Sequence, residues 1–231
     1  MPESQADPQS GILRPARYRL IVFDWDGTLM DSAAMIVSCV QAASRDVGLP
    51  VPSEERARHI IGLGLGDAMA YLFPQIDPAQ YGEVADRYRH HFFARGGETP
   101  LFEGASELLE DLFDAGFLLA VATGKGRRGL DRELNSTGLK RFFHATRCAD
   151  ESFSKPHPAM LLEIMEELGV TAERTLMIGD TTHDLEMAQS AGVSGLAVGY
   201  GAHPRDHLVG RMPLACVDDV ASLRTWIAAH G

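Results

Sequence analysis

Lysine is nearly absent. The 231 residues hold only Lys125, Lys140 and Lys155, and every other basic side chain is arginine. A lysine that falls inside a motif is therefore more informative than usual. Cations are short as a class too, with 21 Lys and Arg against 32 Asp and Glu and a formal charge of −11. Such a surface has no surplus of cations to displace counterions from a phosphate backbone, which argues against nucleic acid and anionic membrane as partners. It does not exclude a small anionic substrate, which a few local cations or a metal can balance. Cysteine is sparse: Cys39, Cys148 and Cys216 lie far apart with no CxxC pair. That pattern indicates reduced thiols of a cytoplasmic protein and no disulfide framework. No stretch approaches the roughly 18 consecutive apolar residues of a membrane span, and residues 1–19 hold no apolar segment of signal-peptide type.

What is present is ordinary for a globular protein, with 45% hydrophobic and 23% charged residues. The length suits one large α/β unit or a core with a subdomain. Residues 1–17, rich in Pro, Gln, Ser and Ala, read as a flexible tail. Short apolar runs follow at Leu20–Phe23, Phe117–Ala122, Thr175–Ile178 and Leu196–Val198. Bounded by Gly and Asp and without polar alternation, they suit strands covered on both faces. Between them Ala105, Leu108, Leu109 and Leu112, then Leu161, Leu162, Met165 and Leu168, repeat at helical spacing and stop near Gly116 and Gly169. The alternation predicts an α/β fold with a doubly wound parallel sheet.

One stretch departs from it. From Ser32 to about Thr99 the pattern is helical throughout, over Ala33–Val47, Ser53–Ile61, Gly66–Phe73 and Pro78–Arg95. This predicts an all-helical cap, residues 31–99, inserted into a core made of 18–30 and 100–231. A cap there would cover the carboxyl edge of the sheet, where open α/β folds bind ligands.

Four motifs fall where the apolar runs end. Phe23-Asp24-Trp25-Asp26-Gly27-Thr28 sets two carboxylates two residues apart, which a plain turn would not require. Ala122-Thr123-Gly124-Lys125 exposes a hydroxyl before a helix, fitting either a helix cap or a phosphate oxygen at a helix start. Ser154-Lys155-Pro156 places one of the rare lysines in a loop, and Gly179-Asp180-Thr181-Thr182-His183-Asp184 adds two carboxylates. Asp180 and Asp184 could turn toward one Mg²⁺, an oxygen-seeking ion, or one of them could cap the following helix. All four motifs project to the same edge of one parallel sheet.

In these motifs and their order the sequence resembles the haloacid dehalogenase-type phosphatases, and it is similar to their phosphoglycolate phosphatase branch, over about residues 18–230. The resemblance implies that Asp24 is the nucleophile, forming an aspartyl-phosphate. It implies that Asp26 is the acid/base, that Thr123 with its neighbours Gly124 and Lys125 holds phosphoryl oxygens, and that Lys155 neutralises charge. Asp24, the backbone carbonyl of Asp26, and Asp180 would ligate Mg²⁺, with Asp184 reaching it through water or steadying Lys155. Two positions depart from the family's habits: Trp25 stands where Leu is frequent, and Gly124 where Asn is frequent.

In the cap, His59-Ile60-Ile61-Gly62-Leu63-Gly64 resembles the family loop near the leaving group, and its glycines suit either close approach or an ordinary turn. Arg58, His59 and Gly62 are its candidate substrate contacts. His90-His91 and His203 with His207 show no carboxylate or cysteine at ligand spacing, which disfavours zinc. The expected activity is Mg²⁺-dependent hydrolysis of a small phosphorylated metabolite, with 2-phosphoglycolate foremost. A pyrophosphatase or sugar phosphomutase is the alternative, and a non-enzymatic phospho-acceptor is more remote because it gains nothing from Asp26. Both a monomer and a homodimer fit.

Overall fold

The apolar runs become strands because each must be covered on two faces. In the computed structural model, which describes residues 17–95 and 99–231, β1 (Leu20–Phe23) is buried along its whole length. Chain order then runs α1 (Ala33–Asp46), α2 (Glu54–His59), α3 (Leu65–Leu72), α4 (Tyr81–Ala94), α5 (Ala105–Asp114), β2 (Leu118–Thr123) and α6 (Arg127–Thr137). It continues through β3 (Ala145–Cys148), α7 (Ala159–Leu168), β4 (Thr175–Gly179), α8 (Thr182–Ser190), β5 (Ser194–Val198), α9 (Arg205–Val209), β6 (Cys216–Val217) and α10 (Val220–His230). The expected tail over 1–17 lies outside the described residues except for Arg17.

All neighbouring strands pair in parallel, in the order β3-β2-β1-β4-β5-β6. This is the doubly wound arrangement expected from the sequence. Alternate side chains serve opposite layers. Ile21, Phe23, Val121 and Ile178 join one core with Leu108, Leu130 and Leu223 from α5, α6 and α10. Leu20, Val22, Ala122 and Met177 join another with Leu161 and Ile164 of α7 and Met187 of α8. The chain leaves β1 toward opposite sides of the sheet through β2 and β4, so the crevice at its carboxyl end is where such folds bind ligands.

Two strands escaped the sequence pattern. β3 lies at the sheet edge with Thr146 and Arg147 only partly buried, and β6 is two residues long. The helix expected over Pro78–Arg95 begins instead as a 3-10 turn, Pro78–Gln80, capped by Asp77, before α4.

Helices α1 to α4 carry an apolar cluster of their own, with Ile36, Val40, Ile61, Met69, Phe73 and Phe92 at its centre. The chain enters and leaves this segment side by side. Met30 bridges antiparallel to Leu101, the Asp31 N–H donates to Pro100 O at 2.9 Å, and the Phe102 N–H donates to Leu29 O at 3.0 Å.

Candidate active site

Asp24 is the first residue past β1, and its N–H still donates to Ile178 O at 2.9 Å, so strand pairing fixes the backbone of the candidate nucleophile. The chain then turns tightly: the Leu29 and Met30 N–H groups both donate to Trp25 O at 3.0 Å. Gly27 sits in this turn at φ +82°, and a side chain there would run into the Asp180 carboxylate. A residue with a Cβ could satisfy neither demand.

Asp180 follows β4. Its Oδ1 accepts from the Thr28 hydroxyl at 2.8 Å and its Oδ2 from the Ala202 N–H at 2.7 Å. Asp184 lies one helical turn on and does two jobs at once. Its Oδ2 accepts from the Thr181 N–H and hydroxyl, completing a capping box at the start of α8, and its Oδ1 accepts from Lys155 at 2.6 Å. Asp184 therefore caps α8 and at the same time meets Lys155.

Lys155 is fully buried between Asp184 and Asp24, whose Oδ1 it meets at 2.7 Å. Burial alone would lower its pKa, but Asp184 and Asp24 outweigh burial and hold the ammonium above its ordinary range. The carboxylates are still underbalanced. Burial, with Asp184 and Asp180 adding to it against Lys155, pushes Asp24 well above the usual carboxylate range. Burial and Asp184 push Asp180 up to about 7. Three buried carboxylates facing one ammonium is an arrangement that calls for a further cation.

The donor set fits Mg²⁺. Oxygens of Asp24, Asp180 and Asp184 lie within 4.8 Å of one another, and Asp24 Oδ2 is buried with no hydrogen-bond partner. An all-oxygen cluster with an orphaned carboxylate oxygen suits a hard divalent ion. The Asp26 side chain is not part of the cluster. It turns to the Ser32 hydroxyl at 2.8 Å and to Lys125 Nζ at 3.1 Å.

Between the helical segment and the sheet edge lies a cavity of about 690 Å³, lined among others by Asp26, Gly62, Tyr88, Phe92, Gly124 and Lys125. Its two walls come close at Gly124, because that residue has no side chain. A Cβ on Gly124 would stand 2.5 Å from the Gly62 carbonyl carbon and from Leu63 O. Thr123 is buried at the end of β2, where its hydroxyl accepts the Lys125 N–H at 3.1 Å.

The sequence candidates in the helical segment fare differently. Gly62 lines the cavity, whereas Arg58 pairs with Glu54 at 3.0 Å away from the cavity lining. The His59 ring stacks on His203 with centroids 5.3 Å apart, and its carbonyl receives the Nε2 atoms of His183 at 2.8 Å and His203 at 3.1 Å. The His203 Nδ1 accepts the Thr182 N–H, so its Nε2 carries the proton and donates. Burial first, then the neighbouring His183, lowers the His203 pKa to about 4, which keeps the ring neutral.

Residue spacing had paired His203 with His207, but the fold gathers His59, His183 and His203, with ring nitrogens within 4.8 Å. Both nitrogens of His203 are already engaged, so the cluster acts as a hydrogen-bonded clamp on the His59 backbone. His91 likewise has a carboxylate partner that spacing missed, Asp46 at 2.7 Å. The Gly64 N–H donates to Ser154 Oγ at 2.8 Å, a second fastening of the same loop to the sheet side.

A buried carboxylate with an unpaired oxygen, a buried lysine, an oxygen cluster that could hold a cation and a crevice at the carboxyl edge of a parallel sheet are parts that phosphoryl transfer needs. Residues 21–198 match the family described as haloacid dehalogenase-like hydrolase. The chain belongs to that family, and with this site it is a phosphoric monoester hydrolase.

It is 36% identical to the "Probable phosphatase IndB" of Dickeya dadantii, over 86% of this chain and 89% of that one. It is 34% identical to a 5'-nucleotidase of Pseudomonas aeruginosa, over 93% and 97% of the two chains. Its identity to a phosphoglycolate phosphatase of Agrobacterium fabrum is 31%, over 88% and 90%. Among solved structures, one named as a "predicted phosphatase" from Clostridium acetobutylicum superposes with a TM-score of 0.83 at 27% identity, over 93% of this chain and 100% of that one.

Proposed function

We propose that the protein is a Mg²⁺-dependent phosphatase that removes phosphate from a small metabolite through an aspartyl-phosphate on Asp24, with 2-phosphoglycolate as the first candidate substrate. Residues 18–30 and 100–231 would form its core and 31–99 its cap. The observation that carries the reading is Asp24 itself, held by Lys155 through Oδ1 while Oδ2 stays buried and unpaired. A carboxylate used only for structure would have both oxygens satisfied.

In this mechanism Asp24 attacks phosphorus while Asp26 gives its proton to the departing alcohol oxygen. Asp26 then takes a proton from the water that attacks the aspartyl-phosphate, which releases phosphate and returns both aspartates to their starting state. Lys155 offsets the charge of Asp24 and of the phosphoryl oxygens, and Thr123 with the Gly124 and Lys125 backbone borders the same crevice. Asp24, Asp180 and the Asp26 carbonyl would hold Mg²⁺, which would supply the positive charge that lets one anion approach another.

A second reading of the substrate has an observation behind it. Glycolate would occupy a small part of a 690 Å³ cavity, a size in the range of about 300–1,000 Å³ that holds drug-sized ligands. A sugar or nucleoside as leaving group fits that volume better, and one relative is named as a 5'-nucleotidase. A phosphomutase of the same family remains a narrower alternative. Comparing kcat/KM across phosphorylated acids, sugars, nucleotides and pyrophosphate, with Mg²⁺, tests all of these. Best turnover of 2-phosphoglycolate supports the first reading, best turnover of a nucleotide or sugar phosphate the second, and no phosphate release from any compound removes both.

A further inference from the structure

Lys125 was a candidate substrate contact, yet its surroundings assign it elsewhere. Its side chain is 8% exposed. The ammonium meets Asp26 Oδ1 at 3.1 Å and Glu133 Oε1 at 3.2 Å, and it lies 4.2 Å from the centre of the Phe92 ring. An ammonium has three N–H donors. Two carboxylates and an aromatic face engage the Lys125 ammonium and leave little for a ligand.

Glu133 is held in turn. Its Oε2 accepts the indole N–H of Trp25, the buried residue between the two aspartates of the first motif. Leucine, frequent at that position in the family, has no such donor. Trp25, Glu133, Lys125 and Asp26 thus form one connected chain that begins and ends in the same loop. Among the described residues, both donors that reach the Asp26 side chain, the Ser32 hydroxyl and Lys125, go to Oδ1.

We propose that Lys125 is a positioning residue: with Ser32 it fixes the rotation of the Asp26 carboxyl, reserving Oδ2 for the leaving-group oxygen, while Glu133 and Trp25 hold Lys125 in place. Phe92 belongs to α4, so seating of the helical segment reaches Asp26 through the same ammonium. The proposal rests on the reading of Asp26 as the acid/base.

The test uses the Mg²⁺-loaded full chain and two probes: p-nitrophenyl phosphate, whose leaving group departs without a proton, and 2-phosphoglycolate or the best alkyl phosphate of the panel, whose leaving group needs one. Lys125→Met is expected to lower kcat/KM, which ends at formation of the aspartyl-phosphate and so leaves out the step in which Asp26 serves as base, by about 10²-fold on the alkyl phosphate and by far less on the aryl phosphate. In an Asp26→Asn background the same substitution should cause no further loss, because the two residues act as a unit. Glu133→Gln should move kcat/KM in the same direction by less, and it carries the test if Lys125→Met does not fold.

Equal losses of kcat/KM on the two probes, additive losses in the double variant, or a raised KM with kcat intact would each overturn the proposal. Unchanged alkyl-phosphate turnover in Asp26→Asn alone would remove the acid/base reading and the proposal with it.

Discussion

Gly124→Ala tests a close approach of backbone between the two walls of the cavity. The added methyl carbon would lie 2.5 Å from the Gly62 carbonyl carbon and from Leu63 O, whereas comfortable carbon contacts lie at roughly 3.5–4.0 Å. Both obstacles are backbone, so no side chain can swing aside, and the loop must retreat by about 1 Å. Overpacking of this kind costs about 1–3 kcal/mol, which for a chain of this size lowers Tm by roughly 2–4 °C per kcal/mol. The larger effect falls on turnover, since a misplacement of about 1 Å can cost on the order of 10²-fold in rate.

The assay is kcat/KM on the best substrate together with thermal unfolding, both with Mg²⁺. Gly82→Ala serves as control, because its Cβ would meet nothing within 4 Å and it lies on the exposed first turn of α4. Wild-type turnover and melting in Gly124→Ala would mean that the contact between the two walls is not needed, and the reasoning would fail.

Asp24→Asn should abolish phosphate release while the circular dichroism spectrum stays native, and undiminished release by that variant would remove the mechanism. Excess EDTA should silence the enzyme and added Mg²⁺ restore it, with a rise in Tm on loading, since the ion would balance the Asp24, Asp180 and Asp184 cluster. Full activity in EDTA would point to metal-free chemistry. His203→Ala deletes the acceptor of the buried Thr182 N–H and one of two donors to His59 O, so a loss of about 1–3 kcal/mol is expected in denaturant unfolding. An unchanged unfolding midpoint would show that the clamp is not stabilising.

The strands that set the site were legible because Leu20–Phe23 and Thr175–Ile178 are short apolar runs ending in aspartate. Lys155 could be picked out because lysine is rare in this chain. The supporting residues were not legible. Glu133 reaches Trp25 across 108 positions, and polar residues of α6 give no periodic signal that one of them turns inward. His59 was a candidate because its loop resembles the family loop near the leaving group, and nothing in the sequence signals that its carbonyl, a group every residue has, would be held by His183 and His203. β3 stayed hidden because a sheet edge tolerates Thr146 and Arg147. Trp25 and Gly124 stood out only as departures, and their partners Glu133 and Gly62 became identifiable once the chain was folded.

The pairing of Met30 with Leu101 makes the helical segment a detachable module in the genetic sense. Its two connections sit next to each other, so a recombination event could replace the helices between them without stretching the sheet. Under the proposed function, most of the phosphoryl chemistry and part of the leaving-group pocket would then be written in separate stretches of the gene, joined through Ser32 and Phe92. One scaffold could acquire a new diet by exchanging the insert alone.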